Sequence, residues 1–118
     1  MHYNVFSNII MFHFPRSLYA DVKSGNLIIL SAFNDTDNID VKVEVINSID
    51  GTSVRKASSA LSGEGTSAVN ITDENGITIL RFEKSDFDMD TGEGYLNLKV
   101  KANGFQDYTN EFAVKLVK

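Results

Sequence analysis

The stretch Thr72–Lys118, TDENGITILRFEKSDFDMDTGEGYLNLKVKANGFQDYTNEFAVKLVK, decides the architecture. It opens on turn residues, Asp73-Glu74-Asn75-Gly76, and passes into an alternating run beginning at Ile77. A polar loop follows, then two further alternating runs separated by Asn103-Gly104. Apolar residues at every second position put one face of a strand on a core and the other in water. Closely spaced strands broken by Asn-Gly and Asp-Gly turns are the pattern of hairpin-connected sheets. The reading is an all-β chain, an antiparallel sandwich of seven to eight strands.

Working outward, Val41-Lys42-Val43-Glu44-Val45 alternates cleanly, as do Leu96 to Ala102 and Phe112 to Leu116. These runs predict half-buried strands with valine, leucine and Phe112 inward and charges outward. Asn26 to Phe33 is almost continuously apolar and predicts a central strand buried on both faces. Gly76 to Phe82 alternates and then slips phase at Leu80, which predicts a bulge. Ile9 to Phe14 and Ala68 to Thr72 are weaker strand candidates, and Gly51 to Ala57 is a candidate edge strand. Helical periodicity is nowhere sustained, and Arg55 to Leu61 has room for a short turn at most. Turn residues fill the remaining segments, including Asn34 to Asn38 and Ser62 to Gly65.

Residues 26–118 resemble bacterial and phage immunoglobulin-like modules. The likeness rests on Thr72-Asp73-Glu74-Asn75-Gly76, a T-D-x-x-G turn before a strand. It rests also on Gly94-Tyr95 opening the strand Leu96 to Ala102, which ends at the Gly104 turn. The resemblance implies an immunoglobulin-like β-sandwich over residues 26–118, with residues 1–25 forming an N-terminal arm and first strand of one overall domain. It also implies a corner hydrogen bond from Tyr95, although Tyr95 has the opposite parity to Leu96, Leu98 and Val100.

Totals narrow the function. The 118 residues suffice for one domain with its own core. With no cysteine there is neither a disulfide framework nor a thiolate site. The net charge is −5. Lys and Arg nowhere cluster, which argues against phosphate-backbone binding. The N-terminal stretch lacks the charged start, long apolar region and cleavage site of a signal peptide. Its longest apolar run, Ile9 to Phe12, is far below the ~20 residues of a membrane span. A protein outside the secretory route is the expectation.

Candidate sites are few. Asp86, Asp88 and Asp90 place carboxylates at alternate positions, as a calcium loop does, but Thr91 and Asn97 break the EF-hand pattern. A solvated loop is the plainer reading; calcium is the one cofactor for which the residues offer candidate ligands. His2 and His13 have no convergent partners at catalytic spacing. The serines Ser58, Ser59, Ser62 and Ser67 lack an elbow context, and no acid pair suggests glycoside hydrolysis. No catalytic residue is expected. Phe105 and Tyr108 follow the Asn103-Gly104 turn as a candidate ligand patch for carbohydrate, Phe105 having the alternative of covering the core.

The N-terminal segment is unusually apolar. Tyr3, Phe6, Ile9, Ile10, Phe12 and Phe14 form a candidate protein interface, since a solvated terminus seldom carries so much apolar surface. The alternative is that Ile9 to Phe14 is simply the first strand. The expectation is a non-enzymatic structural protein, a small phage virion component such as a capsid decoration or tail accessory subunit, assembled in the host cytoplasm. Its partners would be its own copies or a host capsid or tail protein. The alternative is a carbohydrate- or cell-surface-binding module, part of an adhesin on a bacterial surface.

Overall fold

The computed structural model describes residues 16–118. They form eight strands: β1 (Leu18–Val22), β2 (Leu27–Ile29), β3 (Asn38–Asn47), β4 (Ser58–Gly63), β5 (Thr66–Ile71), β6 (Ile77–Glu83), β7 (Glu93–Lys101) and β8 (Tyr108–Val117). Two short 3-10 turns, Leu30–Ala32 and Lys84–Asp86, are the only helical elements among the described residues. One sheet has the order β1-β3-β6 and the other β2-β8-β7-β4-β5. The fold is all-β and sandwich-like.

Alternation is what closes the two layers. Val41, Val43 and Val45 of β3 and Leu80 and Phe82 of β6 point inward from the three-stranded sheet. Leu61 of β4, Leu96, Leu98 and Val100 of β7, and Val114 and Leu116 of β8 meet them from the five-stranded sheet. The side chains of Val43, Val45, Leu61, Leu96, Val100, Val114 and Leu116 are completely buried. Burying one such side chain contributes roughly 1.5–3 kcal/mol, so this cluster is the main source of stability.

The turn at Thr72–Gly76 shows how sequence sets register. Asp73 Oδ1 accepts the amides of Asn75 (2.9 Å) and Ile77 (3.0 Å), while the Asp73 amide donates to the Ile77 carbonyl (2.9 Å). Gly76 sits at φ +73, and a Cβ there would come within 2.5 Å of the Val45 carbonyl oxygen. Only glycine tolerates both demands. The buried Thr72 hydroxyl donates to the Val54 carbonyl (2.6 Å) and accepts the Ala57 amide (2.9 Å), tying the loop before β4 to the end of β5.

Several expectations from the sequence are corrected. The Asn26 to Phe33 run is not a central strand: β2 is three residues long, lies at a sheet edge, and ends in the Leu30–Ala32 turn. Leu27 and Ile29 are about half exposed, so the unbroken apolar run does not mark burial on both faces. β2 also pairs parallel with β8, so the sheets are not wholly antiparallel. No bulge interrupts β6, because Thr78 faces inward with Leu80 and Phe82 and the alternation never slips. The irregularity lies instead between β7 and β8, where Leu96 pairs Val114 and Leu98 pairs Asn110. Extra residues in β8 put Ala113 and Val114 side by side in the core and turn Phe112 outward.

β4 replaces the short turn allowed at Arg55 to Leu61, with Ser59 taking an inward position that serine hides from the pattern. The candidate edge strand Gly51 to Ala57 is a loop, apart from a single bridge between Ser53 and Ile46. β1 was not among the expected strands. It lies within residues 1–25, the segment expected to hold a first strand, and belongs to the three-stranded sheet. The candidate strand Ile9 to Phe14 lies outside the described residues.

Candidate docking face and the cleft beside it

The outer faces of the two sheets carry different chemistry. On the three-stranded sheet, strand alternation turns Asp40, Lys42 and Glu44 of β3 and Arg81 of β6 outward. Arg81 grips Asp40 with both ends of its guanidinium, Nε to Oδ1 at 2.7 Å and Nη2 to Oδ2 at 3.0 Å. That hydrogen-bonded pairing holds the Asp40 carboxyl below the usual carboxylate range. Lys23 Nζ lies 3.4 Å from Glu44 and 3.5 Å from Asp21. These exposed pairs form a solvated surface and add little to stability.

On the five-stranded sheet, the same alternation turns apolar side chains outward. At one edge β5 presents Val69 and Ile71, which are 64% and 59% exposed. Near the other edge Phe112 of β8, 67% exposed, meets Tyr95 of β7 edge-on, with centroids 5.1 Å apart at 81°. Leu27 and Ile29 of β2 continue this surface. Between them Lys115 pairs with Glu93 at 2.8 Å, which holds the Glu93 carboxyl below its ordinary value. Ala60 of β4 and the outward Lys99 and Lys101 of β7 separate Val69 and Ile71 from the group around Tyr95 and Phe112, so the face carries two apolar patches. Scattered single apolar residues are common on surfaces, but groups of this kind mark interaction sites.

A cleft lies beside this face, where the chain leaves one sheet for the other. β1 ends at Val22 and β2 begins at Leu27, and β2 covers β8 only from Lys115 to Val117. Tyr19 and Asp21 of β1 therefore look across at Tyr108, Asn110 and Phe112 of β8, with Asn26 also lining the cleft. The Tyr19 and Tyr108 rings meet edge-on, 6.1 Å apart at 80°. Burial of the Tyr108 hydroxyl, helped by Tyr19 and the Asp21 carboxylate, raises its pKa above the phenol value.

The residues singled out from sequence fall as follows. Tyr3, Phe6, Ile9, Ile10, Phe12 and Phe14 lie outside the described residues, as do His2 and His13. Asp86, Asp88 and Asp90 do not converge: no three acidic or histidine side chains among the described residues are placed to hold a metal. Asp86 instead accepts the Glu83 amide at 2.7 Å, closing the 3-10 turn. Phe105 and Tyr108 have separate partners. Phe105 is partly buried against the core, with the Arg16 guanidinium 4.6 Å above its ring, and Tyr108 packs on Tyr19. Tyr95 stands on the outer face against Phe112 rather than at a buried corner.

Val69, Ile71, Tyr19 and the outward orientation of Phe112 escaped the sequence reading. Val69 and Ile71 sit two apart in a short strand and could have been read as one face. Tyr19 and Tyr108 are brought together only by the fold. No family model, no curated protein and no solved structure matches this chain.

Proposed function

We propose that this chain is a non-enzymatic structural module that assembles by docking, and that it serves as a small virion component of a bacterial virus, a capsid decoration or tail accessory subunit. The observation that carries this reading is the apolar outer face of the five-stranded sheet, Leu27, Ile29, Tyr95 and Phe112 on one side and Val69 and Ile71 on the other. The proposed occupant is the N-terminal segment of a second copy. Residues 1–15 contain Tyr3, Val5, Phe6, Ile9, Ile10, Met11, Phe12 and Phe14 and not one Asp, Glu, Lys or Arg. They join the sandwich at Arg16, whose amide donates to the Gly104 carbonyl (3.2 Å) at the β7–β8 turn. Fifteen extended residues reach about 50 Å, enough to cross a neighbouring sheet face.

Strand order supports an immunoglobulin-like assignment for the scaffold. In that reading β4, β7 and β8 would correspond to strands C, F and G in one sheet, and β3 and β6 to B and E in the other. β1 and β2 would be a first strand divided between the sheets, and β5 an added strand beyond C.

The test is assembly. Deleting residues 1–8 is expected to leave the melting midpoint unchanged and produce a monomer, whereas unfolding on truncation would make the segment part of the core. The intact protein should purify with virus particles at a fixed ratio to the major capsid protein. Erratic amounts would remove the virion assignment while leaving the docking face to be judged by self-association.

A further inference from the structure

The cleft between β1 and β8 adjoins the docking face at Phe112, which belongs to both, but its remaining lining is mostly polar and its inference does not depend on the docking proposal. It has a volume of about 350 Å³, within the range of small-molecule sites. One wall offers the Tyr19 ring, 48% exposed, beside the half-exposed Asp21 carboxylate. The other offers the Tyr108 hydroxyl and the Asn110 carboxamide, whose Oδ1 accepts the Phe112 amide at 3.1 Å and so is fixed in place. Asn26 adds a second carboxamide at the lining.

Each ligand class makes a different demand on these groups. An anion would face Asp21, whose Lys23 partner at 3.5 Å is shared with Glu44, on a chain of net charge −5. A metal ion would need several converging carboxylates or histidines, and the described residues provide no such group of three. A purely apolar ligand would strip water from Asp21, Asn26 and Asn110 without replacing their hydrogen bonds, at a cost of about 1–3 kcal/mol for each. A neutral saccharide meets every requirement: its C–H face lies against an aromatic ring and its hydroxyls both donate and accept. Asp21 accepts only, Asn26 and Asn110 do both, and Tyr108 with its raised pKa remains a protonated donor at neutral pH.

We propose that the β1–β8 cleft binds a neutral saccharide, with a sugar ring against Tyr19 and its hydroxyls bonded to Asp21, Tyr108 and Asn110. The test is amide and aromatic NMR on the full chain, titrated with maltohexaose, cellohexaose, chitohexaose and, as an anionic comparison, sialyllactose. Saturable shifts at Tyr19, Tyr108 and Asn110 are expected with a neutral oligosaccharide and not with sialyllactose. Tyr19→Ala should weaken that binding roughly tenfold, equivalent to about 1.4 kcal/mol for one ring contact. Asp21→Asn should weaken it while keeping the amide spectrum dispersed, which separates lost recognition from lost folding. Ser67→Ala, on β5 at the opposite edge of the five-stranded sheet, should leave it unchanged. Absence of saturable shifts across the panel, shifts that map away from the cleft, or a Tyr19→Ala protein that binds normally would each overturn the proposal.

Discussion

The outer surfaces of the two sheets are built on the same alternation and have opposite characters. Outside the three-stranded sheet, Asp21, Lys23, Asp40, Glu44 and Arg81 join one another in exposed ion pairs, with Tyr19 and Ile79 as the exposed large apolar residues among them. Outside the five-stranded sheet, Leu27, Ile29, Tyr95, Phe112, Val69 and Ile71 stand in water. Both inner surfaces are fully committed to the core, so folding has no need of the second set. Apolar side chains retained where folding does not use them point to a partner surface. The contrast separates what builds this molecule from what it presents.

The inner surfaces set the scale against which the outer ones are judged. Phe82→Ala, which empties the largest fully buried side chain, should cost about 3–5 kcal/mol in denaturant unfolding. Thr72→Val removes the hydroxyl that bridges Val54 and Ala57 and strands a buried amide and carbonyl, costing about 2 kcal/mol. Ser59 is fully buried, and its Oγ has no hydrogen-bond partner among the described residues. Ser59→Ala should therefore raise stability by about 1 kcal/mol in the same measurement.

Outer substitutions should sharpen the contrast. Phe112→Glu gives up the edge-on contact with Tyr95 and should cost about 1 kcal/mol of stability, while removing association. Lys42→Ala on the other outer face should change neither. The smallest effect is acid sensitivity. Asp40, Asp50 and Glu93 have folded pKa values lowered mainly by hydrogen bonds from Arg81, Thr52 and Lys115 respectively. Below about pH 4 the unfolded chain then binds more protons than the folded one. Their contribution is complete above the ordinary carboxylate values of 3.8 and 4.5 and is lost as pH falls through the lowered ones. A shallow fall in melting midpoint, further reduced by salt, is the expected titration.

How much the sequence revealed depended on whether residue type and position agreed. Val41, Val43 and Val45 could be read at once because β-branched residues alternate with charges, and they are the centre of the core. β4 could not, because its inward residues are Ser59 and Leu61 and serine carries no burial signal. β6 misled in the same way through Thr78. Phe112 was read inward because the irregularity that shifts β8 depends on its pairing with β7, which no local pattern records. The cleft was hidden for a related reason: Tyr19 and Tyr108 are 89 positions apart, and a crossover between sheets makes them neighbours. Local alternation thus recovered the layers, and pairing between distant strands decided the surfaces.

Sedimentation velocity across a range of protein concentrations tests the central claim most directly, comparing the intact chain with the Phe112→Glu/Val69→Glu double variant. The account predicts that the intact chain self-associates as concentration rises, while the variant, folded by its amide spectrum, sediments as a monomer throughout. An intact chain that stays monomeric, or a double variant that associates equally well, would contradict it.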